Sequence, residues 1–238
     1  MEIVKMKAVI LCGGLGTRLS EETVKIPKPM VKIGDKPIIW HIMKIFQSFG
    51  VNEFLLAAGY KKEIIEEYFK DNNEFKKIDI IDTGQKTLTG GRLLRLREKL
   101  IEEKYFFMTY GDGLSDINIK ELTKFHESHK KLATVTAVHP PVRFGELELN
   151  ENKVIDFQEK PQGKAGWING GFFVLNQKIF DYIDNDQTIF ERHPMKKLSK
   201  DGELMAFKHE KFWQCMDTLR DKNLLNKLWN ENKAPWKK

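Results

Sequence analysis

The segment Leu11-Cys12-Gly13-Gly14-Leu15-Gly16-Thr17-Arg18-Leu19 directly follows a short apolar run. Glycines let a backbone approach a bulky anion, and successive N–H groups in such a loop form a concavity for phosphate oxygens. A tight turn would leave the same pattern, so the glycines alone do not decide. This loop lacks the third glycine of the dinucleotide fingerprint and the Gly-Lys-Ser/Thr ending of a P-loop, and Arg18 adds a permanent cation beside it. Farther on, Lys28 stands between Pro27 and Pro29, whose restricted backbone would aim a second cation at the same anion. A solvated loop lysine is the alternative for Lys28 taken by itself.

Asp112 sits between Gly111 and Gly113 where the apolar run Tyr105 to Tyr110 ends, the place in an open α/β sheet where ligands collect. Asp217 follows an aromatic segment far away in sequence. Carboxylates from two such points can hold one hard cation through oxygen ligands. Asp217-Thr218 also reads as a helix start, where an acid would stabilise the first turn. Glu159-Lys160-Pro161 closes another strand-like run, and an exposed ion pair on a hairpin would look the same. Among the histidines only His126 and His129 are close in sequence, on a lysine-rich stretch that reads as surface. Cys12 and Cys215 have no base nearby in sequence and read as small buried fillers.

These residues need elements to carry them. Met6 to Cys12, Phe54 to Ala58, Ile78 to Asp82 and Tyr105 to Tyr110 are apolar runs of strand length. Between them lie helical patterns over Pro37 to Phe49, Glu63 to Phe69 and Gly91 to Leu100. That alternation predicts right-handed βαβ units, hence an α/β fold: a Rossmann-like, largely parallel mixed sheet with helices on both faces. After Gly113 the pattern predicts a helix over Ile119 to Lys130 and strands at Ala133 to Val138, Leu147 to Leu149, Val154 to Gln158 and Gly170 to Leu175. It ends with helices over Gln177 to Ile183 and Phe190 to Lys200, a strand at Leu204 to His209 and a helix over Thr218 to Trp229. No repeat, low-complexity tract or long linker divides the chain, so one domain over 1–238 is expected, its nucleotide-binding part about 1–115 and its acceptor part about 116–238.

The 238 residues carry 40 Lys plus Arg against 34 Asp plus Glu, a formal charge of +6, with 41% hydrophobic content. This is a globular composition, neither disordered nor fibrous. The lysines interleave with acids, as in Lys61-Lys62-Glu63, rather than forming a basic stripe, which argues against a nucleic-acid partner. No apolar run has membrane-spanning length, so no membrane partner is expected. Two distant cysteines fit a reducing cytoplasm better than a disulfide framework.

Gly14-x-Gly16-Thr17-Arg18 with Pro27-Lys28-Pro29 resembles the signature of sugar-1-phosphate nucleotidylyltransferases. The resemblance continues through Lys36-Pro37-Ile38-Ile39-Trp40-His41, Asp82-Thr83-Gly84, Thr89-Gly90-Gly91-Arg92 and Tyr110-Gly111-Asp112-Gly113. It extends to Phe157-Gln158-Glu159-Lys160-Pro161, Ile168-Asn169-Gly170-Gly171-Phe172-Phe173 and Phe212-Trp213-Gln214-Cys215-Met216-Asp217-Thr218. It looks closest to the glucose-1-phosphate cytidylyltransferase branch, which makes CDP-glucose and pyrophosphate from CTP and α-D-glucose 1-phosphate. The resemblance implies a Mg²⁺-dependent homo-oligomer in which Leu11, Gly13, Gly14, Gly16, Thr17, Arg18, Lys28, Gly90, Gly91 and Asp112 bind the nucleotide. It further implies that Glu159, Lys160, Asn169 and Gly170 bind the sugar phosphate, that Asp112 and Asp217 hold the metal, and that Arg18 and Lys28 serve catalysis. Between Phe69 and Asp82 this chain has about a dozen residues where that branch carries a longer segment. The same chemistry with UTP, dTTP or another acceptor is the nearest alternative. A nucleotide-sensing module comes next, and a dehydrogenase is more distant.

Overall fold

Alternate residues along the central strands belong to two separate cores. Ala8, Ile10, Phe54, Leu56, Phe107, Phe172 and Val174 pack in one, whereas Val9, Leu11, Leu55, Ala57, Phe106, Met108, Phe173 and Leu175 pack in the other. Strands buried on both faces must read as unbroken apolar runs, which is why they stand out in the sequence. The computed structural model describes residues 6–16, 19–140, 146–158 and 166–237. Within them a seven-stranded sheet is formed by β1 (Lys7–Leu11), β2 (Glu53–Ala58), β3 (Lys77–Asp82), β4 (Tyr105–Tyr110), β5 (Ala133–Val138), β6 (Ile168–Asn176) and β7 (Leu204–His209). Their spatial order is β7-β5-β6-β4-β1-β2-β3. β1 pairs in parallel with β2 and β4, β2 with β3 and β5 with β7, while β6 runs antiparallel to both neighbours.

The helix Ile38–Gln47 buries seven of its ten residues against the first core, including Ile38, Ile42, Ile45 and Phe46. Each such side chain contributes about 1.5–3 kcal/mol when fully buried. Ile119–His129 and Leu219–Asn230 cover the same face, and Thr89–Leu94, Arg97–Leu100 and His193–Lys200 cover the other. This is the expected mixed, mostly parallel sheet between helical layers. Two expected elements differ. The pattern over Gly91 to Leu100 is two helices, because Leu96 leaves helical geometry at ψ 1°, although Leu93, Leu96 and Leu100 all still reach the core. Residues Gln177–Tyr182 form a 3₁₀ helix rather than an α-helix, burying Ile179 and Phe180. No periodicity announces the short pairing of Gly113–Ser115 with Trp213–Cys215, which lies outside the main sheet. Among the described residues no helix is long and apolar enough to cross a membrane.

The chain goes from β1 outward to β2 and β3, then returns to place β4 on the other side of β1. That reversal opens a crevice beyond the carboxyl ends of β1 and β4, where open α/β sheets take their ligands. Because β6 runs the opposite way, its first residues, Asn169 and Gly170, arrive at this same end.

Candidate active site

Beyond β1 and β4 lies a cleft of about 880 Å³, within the usual range for small-molecule sites. Leu11 ends β1 at its floor, and Gly13, Gly14 and Gly16 follow along one side. The local reason for glycine differs along this loop. A Cβ on Gly13 would come within 2.1 Å of the Arg92 guanidinium, and Gly16 adopts the left-handed φ of +66° that favours glycine. At Gly14 a Cβ would meet no atom of the described residues within 4 Å.

Lys28 lies in the 3₁₀ turn Lys28–Met30, entered from Pro27 at φ −67°, and its side chain is buried. Its Nζ donates to Asp112 Oδ2 at 2.5 Å and to Asp217 Oδ1 at 2.6 Å. Burial pushes this ammonium down, but the two carboxylates outweigh that and hold it above the ordinary lysine range. Asp112 follows Gly111, whose N–H donates to Leu11 O at 3.1 Å and which packs so closely that a Cβ would meet Pro29 Cγ at 2.9 Å. Asp217 is delivered from the opposite wall. Gly113–Ser115 pairs with Trp213–Cys215, and Met216 N–H donates to Asp112 O at 2.8 Å, so the two aspartates flank the same end of this pairing.

Asp221 then fixes the backbone around Asp217. Its Oδ2 accepts from Asp217 N–H, Thr218 N–H and Thr218 Oγ1–H, while Oδ1 accepts from Gln214 Nε2. With Thr218 it forms the capping box of helix Leu219–Asn230. The helix-cap role once open for Asp217 thus belongs to its neighbours, and the spacing Thr218-x-x-Asp221 carried the signal.

Arg92 also escaped sequence reasoning. Only 4% exposed, it donates to Gly13 O at 2.8 Å, Thr83 Oγ1 at 2.7 Å and Ala58 O at 3.2 Å, clamping the glycine loop to the end of β2. Burial lowers its pKa by more than the neighbouring Cys12 and Asp82 raise it. Gly90 and Gly91 lie in the first turn behind Arg92. Their N–H groups donate to Thr188 O, and a Cβ on Gly91 would meet Asp186 backbone at 2.4 Å. These two glycines pack against residues 186–188 and do not line the cleft.

On the side toward β6, Asn169 donates to Tyr110 Oη at 3.3 Å and Tyr110 donates to Glu191 Oε1 at 2.5 Å; Thr89 Oγ1 donates to Glu191 Oε2 at 2.6 Å. Burial and the Glu191 carboxylate hold the Tyr110 phenol above its ordinary range. A register shift of β6 against β5 between Asn169 and Phe173 contains Gly170 and Gly171. A Cβ on Gly170 would meet Val138 at 2.7 Å, and Gly171 has φ +79°. Such a bulge re-aims the chain at a site, and here Gly170 O accepts from Trp213 Nε1 at 2.7 Å.

One cleft therefore gathers Leu11, Gly13, Gly14, Gly16, Lys28, Asp112, Asn169, Gly170 and Asp217. Thr17, Arg18, Glu159 and Lys160 lie outside the described residues. Two expectations need correction. Cys215 is not a buried filler: it is half-buried and lines the cleft, where burial and then the Asp217 and Asp112 carboxylates push its thiol up to about 12. His126 is not a surface residue, since its Nδ1 meets Thr134 Oγ1 at 2.9 Å beneath the helix and burial pulls its pKa down to about 4. Cys12 is fully buried, as expected, and burial raises it to about 12, so both thiols stay protonated at neutral pH and neither offers a thiolate nucleophile.

Residues 7–219 match the family model described as Nucleotidyl transferase. The chain belongs to the nucleotidyl transferase family. This nucleotidyl transferase is 49% identical over 254 residues to glucose-1-phosphate cytidylyltransferase from Salmonella typhimurium, covering 98% of this chain and 99% of that one. The comparison runs over 254 positions against 238 residues here, so the relative carries segments this chain lacks. It is 35% identical over 227 residues to mannose-1-phosphate guanylyltransferase 1 from Arabidopsis thaliana, covering 91% of this chain and 62% of that one. Among solved structures, HddC from Yersinia pseudotuberculosis complexed with GMP-PN superposes with a TM-score of 0.76 at 27% identity over 94% of this chain and 99% of that one. A UDP-glucose pyrophosphorylase complexed with UDP-glucose shares the fold, with a TM-score of 0.74 at 17% identity over 95% of this chain and 99% of that one.

Proposed function

We propose that this nucleotidyl transferase moves the cytidylyl group of CTP to α-D-glucose 1-phosphate, giving CDP-glucose and pyrophosphate. The observation that carries the reading is the convergence of Lys28, Asp112 and Asp217 in one cleft of a chain aligned over nearly its whole length with a glucose-1-phosphate cytidylyltransferase. A phosphate oxygen of the sugar phosphate attacks the α-phosphorus of CTP in line, and the bond to the β-phosphate breaks as pyrophosphate leaves. The nucleophile is already ionised, with a second phosphate pKa near ~6, so the site must position two anions and neutralise them rather than supply a base.

Lys28 transfers its hydrogen bonds from the carboxylates to phosphate oxygens, and the glycine loop, held by Arg92, offers its N–H groups to the triphosphate. Arg18 adds a second cation, while Lys160 steers the acceptor phosphate and Glu159, Asn169 and Gly170 hold the sugar. The donor set suits Mg²⁺, because carboxylate oxygens of Asp112 and Asp217 already converge on a single positive centre, the Lys28 ammonium. Among the described residues no third acid, histidine or cysteine completes a cluster, which leaves room for phosphate oxygens and water. When bound, Mg²⁺ supplies Lewis-acid neutralisation of the phosphates.

Pyrophosphate release measured across CTP, UTP, dTTP and GTP with glucose 1-phosphate, mannose 1-phosphate and no acceptor tests the reading. The expected result is release from CTP with glucose 1-phosphate at least tenfold faster than from any other pair. Nucleotide binding without pyrophosphate release would sink it.

A further inference from the structure

The spacing of Asp217 from Asp112 depends on a ribbon of only three residue pairs. Gly113–Ser115 pairs with Trp213–Cys215 over three residues, apart from the main sheet, and an isolated two-stranded pairing is marginal in water. One end is closed beside Asp112 by the bond from Met216 N–H to Asp112 O. The other end is closed by His209, the last residue of β7, which is 7% exposed. Its Nε2 lies 3.1 Å from Ser115 Oγ, 3.1 Å from Phe212 O and 3.0 Å from Asp116 Oδ1.

A backbone carbonyl and a carboxylate only accept, so Nε2 must carry a hydrogen and the ring acts as a donor. Ser115 Oγ–H is itself committed to Phe212 O at 2.9 Å, and its oxygen accepts from Ile117 N–H at 3.2 Å. That leaves it a lone pair for the imidazole. Asp116 N–H also donates to Phe212 O, at 3.3 Å, and Asp116 Oδ1 stays beside the ring as an electrostatic neighbour without a hydrogen bond of its own. One imidazole N–H therefore ties both strands of the ribbon to the edge of the main sheet.

We infer that His209 is a positioning residue for this site: its N–H pins the far end of the Gly113–Ser115/Trp213–Cys215 ribbon and so fixes the spacing of Asp112 and Asp217 at the near end. Three residues of strand span only about 10 Å, and carboxylates must be held within about half an ångström to act on one charge centre. Losing the pin lets the strands slide against each other, separating the carboxylates without touching the glycine loop. The ring touches neither the cleft nor any reacting group.

The inference rests on the reading of Asp112 and Asp217 as the metal carboxylates, and the test separates the two. His209→Phe keeps a ring of similar size without the donor, and His209→Gln keeps a donor without the ring. For each, kcat and both KM values are measured by pyrophosphate release, and Mn²⁺ affinity by calorimetric titration of the protein alone. His209→Phe is expected to lower kcat by 10- to 30-fold, on the order of other losses of supporting hydrogen bonds, with both KM values within about twofold. Mn²⁺ affinity should fall by about fivefold or more, and His209→Gln should recover most of both losses. Unchanged kcat and Mn²⁺ affinity in a His209→Phe protein that merely melts at lower temperature would overturn the inference. So would equal impairment of both variants. If His209→Phe does not fold, Ser115→Ala, which removes one oxygen of the cage, must shift kcat and Mn²⁺ affinity in the same direction, and parental values for it overturn the inference. A parent protein that binds no Mn²⁺ removes the metal reading instead, and the kcat comparison then decides the role of His209.

Discussion

Lys28 and Asp217 meet at 2.6 Å, yet the two walls they stand on are built by different means. The Lys28 wall, with the glycine loop and Asp112, hangs from the ends of β1 and β4, strands buried on both faces and paired over several residues. The Asp217 wall hangs from a three-residue ribbon, and side chains hold it: Asp221 from the helix, Trp213 against Gly170 and His209 at its far end. A catalytic charge on the first wall inherits the rigidity of the core, whereas one on the second is only as well placed as the polar groups around it.

The sharpest way to break the comparison is to remove charge from each wall in turn. Asp112→Asn and Asp217→Asn should each lower turnover by about 100- to 1,000-fold, the usual loss for one preorganised electrostatic group. Steady-state pyrophosphate release checks this, with circular dichroism melts to show that both variants fold. If Asp217→Asn retains more than a tenth of parental activity, the second wall is not part of the reacting centre.

Removing support rather than charge should separate the walls further. Asp221→Ala replaces no residue lining the cleft but frees the backbone of Asp217. Turnover should fall by about 10- to 100-fold, because a carboxylate misplaced by an ångström loses most of its effect. Stability should drop by about 1–2 kcal/mol, the ordinary cost of a lost helix cap. Urea unfolding and turnover measured together would contradict the account if stability fell and turnover did not.

The contrast between the walls also explains what could be read in advance. The sheet was legible because β1, β2 and β4 are doubly buried and must be apolar throughout. Lys28 and Asp112 were legible because prolines and glycines mark their turns. The Gly113–Ser115/Trp213–Cys215 ribbon left no such trace: each strand is three residues long, and it pairs across nearly a hundred positions of sequence, where no local period exists to detect it. Arg92 was hidden for a related reason. Its role comes from burial against Gly13 O and Ala58 O, a property of tertiary packing rather than of its neighbours in the chain. Gly90 and Gly91 resembled a ligand loop, but the backbone of residues 186–188 already occupies the space they leave.

His126 belongs to neither wall and offers a control. Its folded pKa is about 4 against an ordinary value of 6.5, with burial the main cause. The unfolded chain therefore takes up a proton as pH falls below about 6.5 while the folded chain does not, so stability is full above that pH and declines toward pH 4. Between pH 7 and 4.5 the parent should lose on the order of 2 kcal/mol more than His126→Gln does in urea unfolding. Equal losses would show that His126 is not responsible.

Gly14 gives the smallest and most selective effect. Among the described residues no atom lies within 4 Å of where its Cβ would stand, so Gly14→Ala should leave the melting temperature unchanged. A methyl group on a phosphate-cradling loop should nevertheless raise the KM for CTP by about tenfold, since it keeps the backbone N–H groups from the anion. An unchanged KM would move the triphosphate away from this loop.

The most direct test is the rate of CDP-glucose formation by Lys28→Ala in a single turnover, with enzyme in excess and both substrates saturating, followed by quenched sampling and chromatography. The account predicts a rate at least about 100-fold below that of the parent protein in a chain that still folds, because the Lys28 ammonium bridges both aspartates. A rate within threefold of the parent would contradict it, leaving Lys28 as a partner of two carboxylates and no part of the reaction.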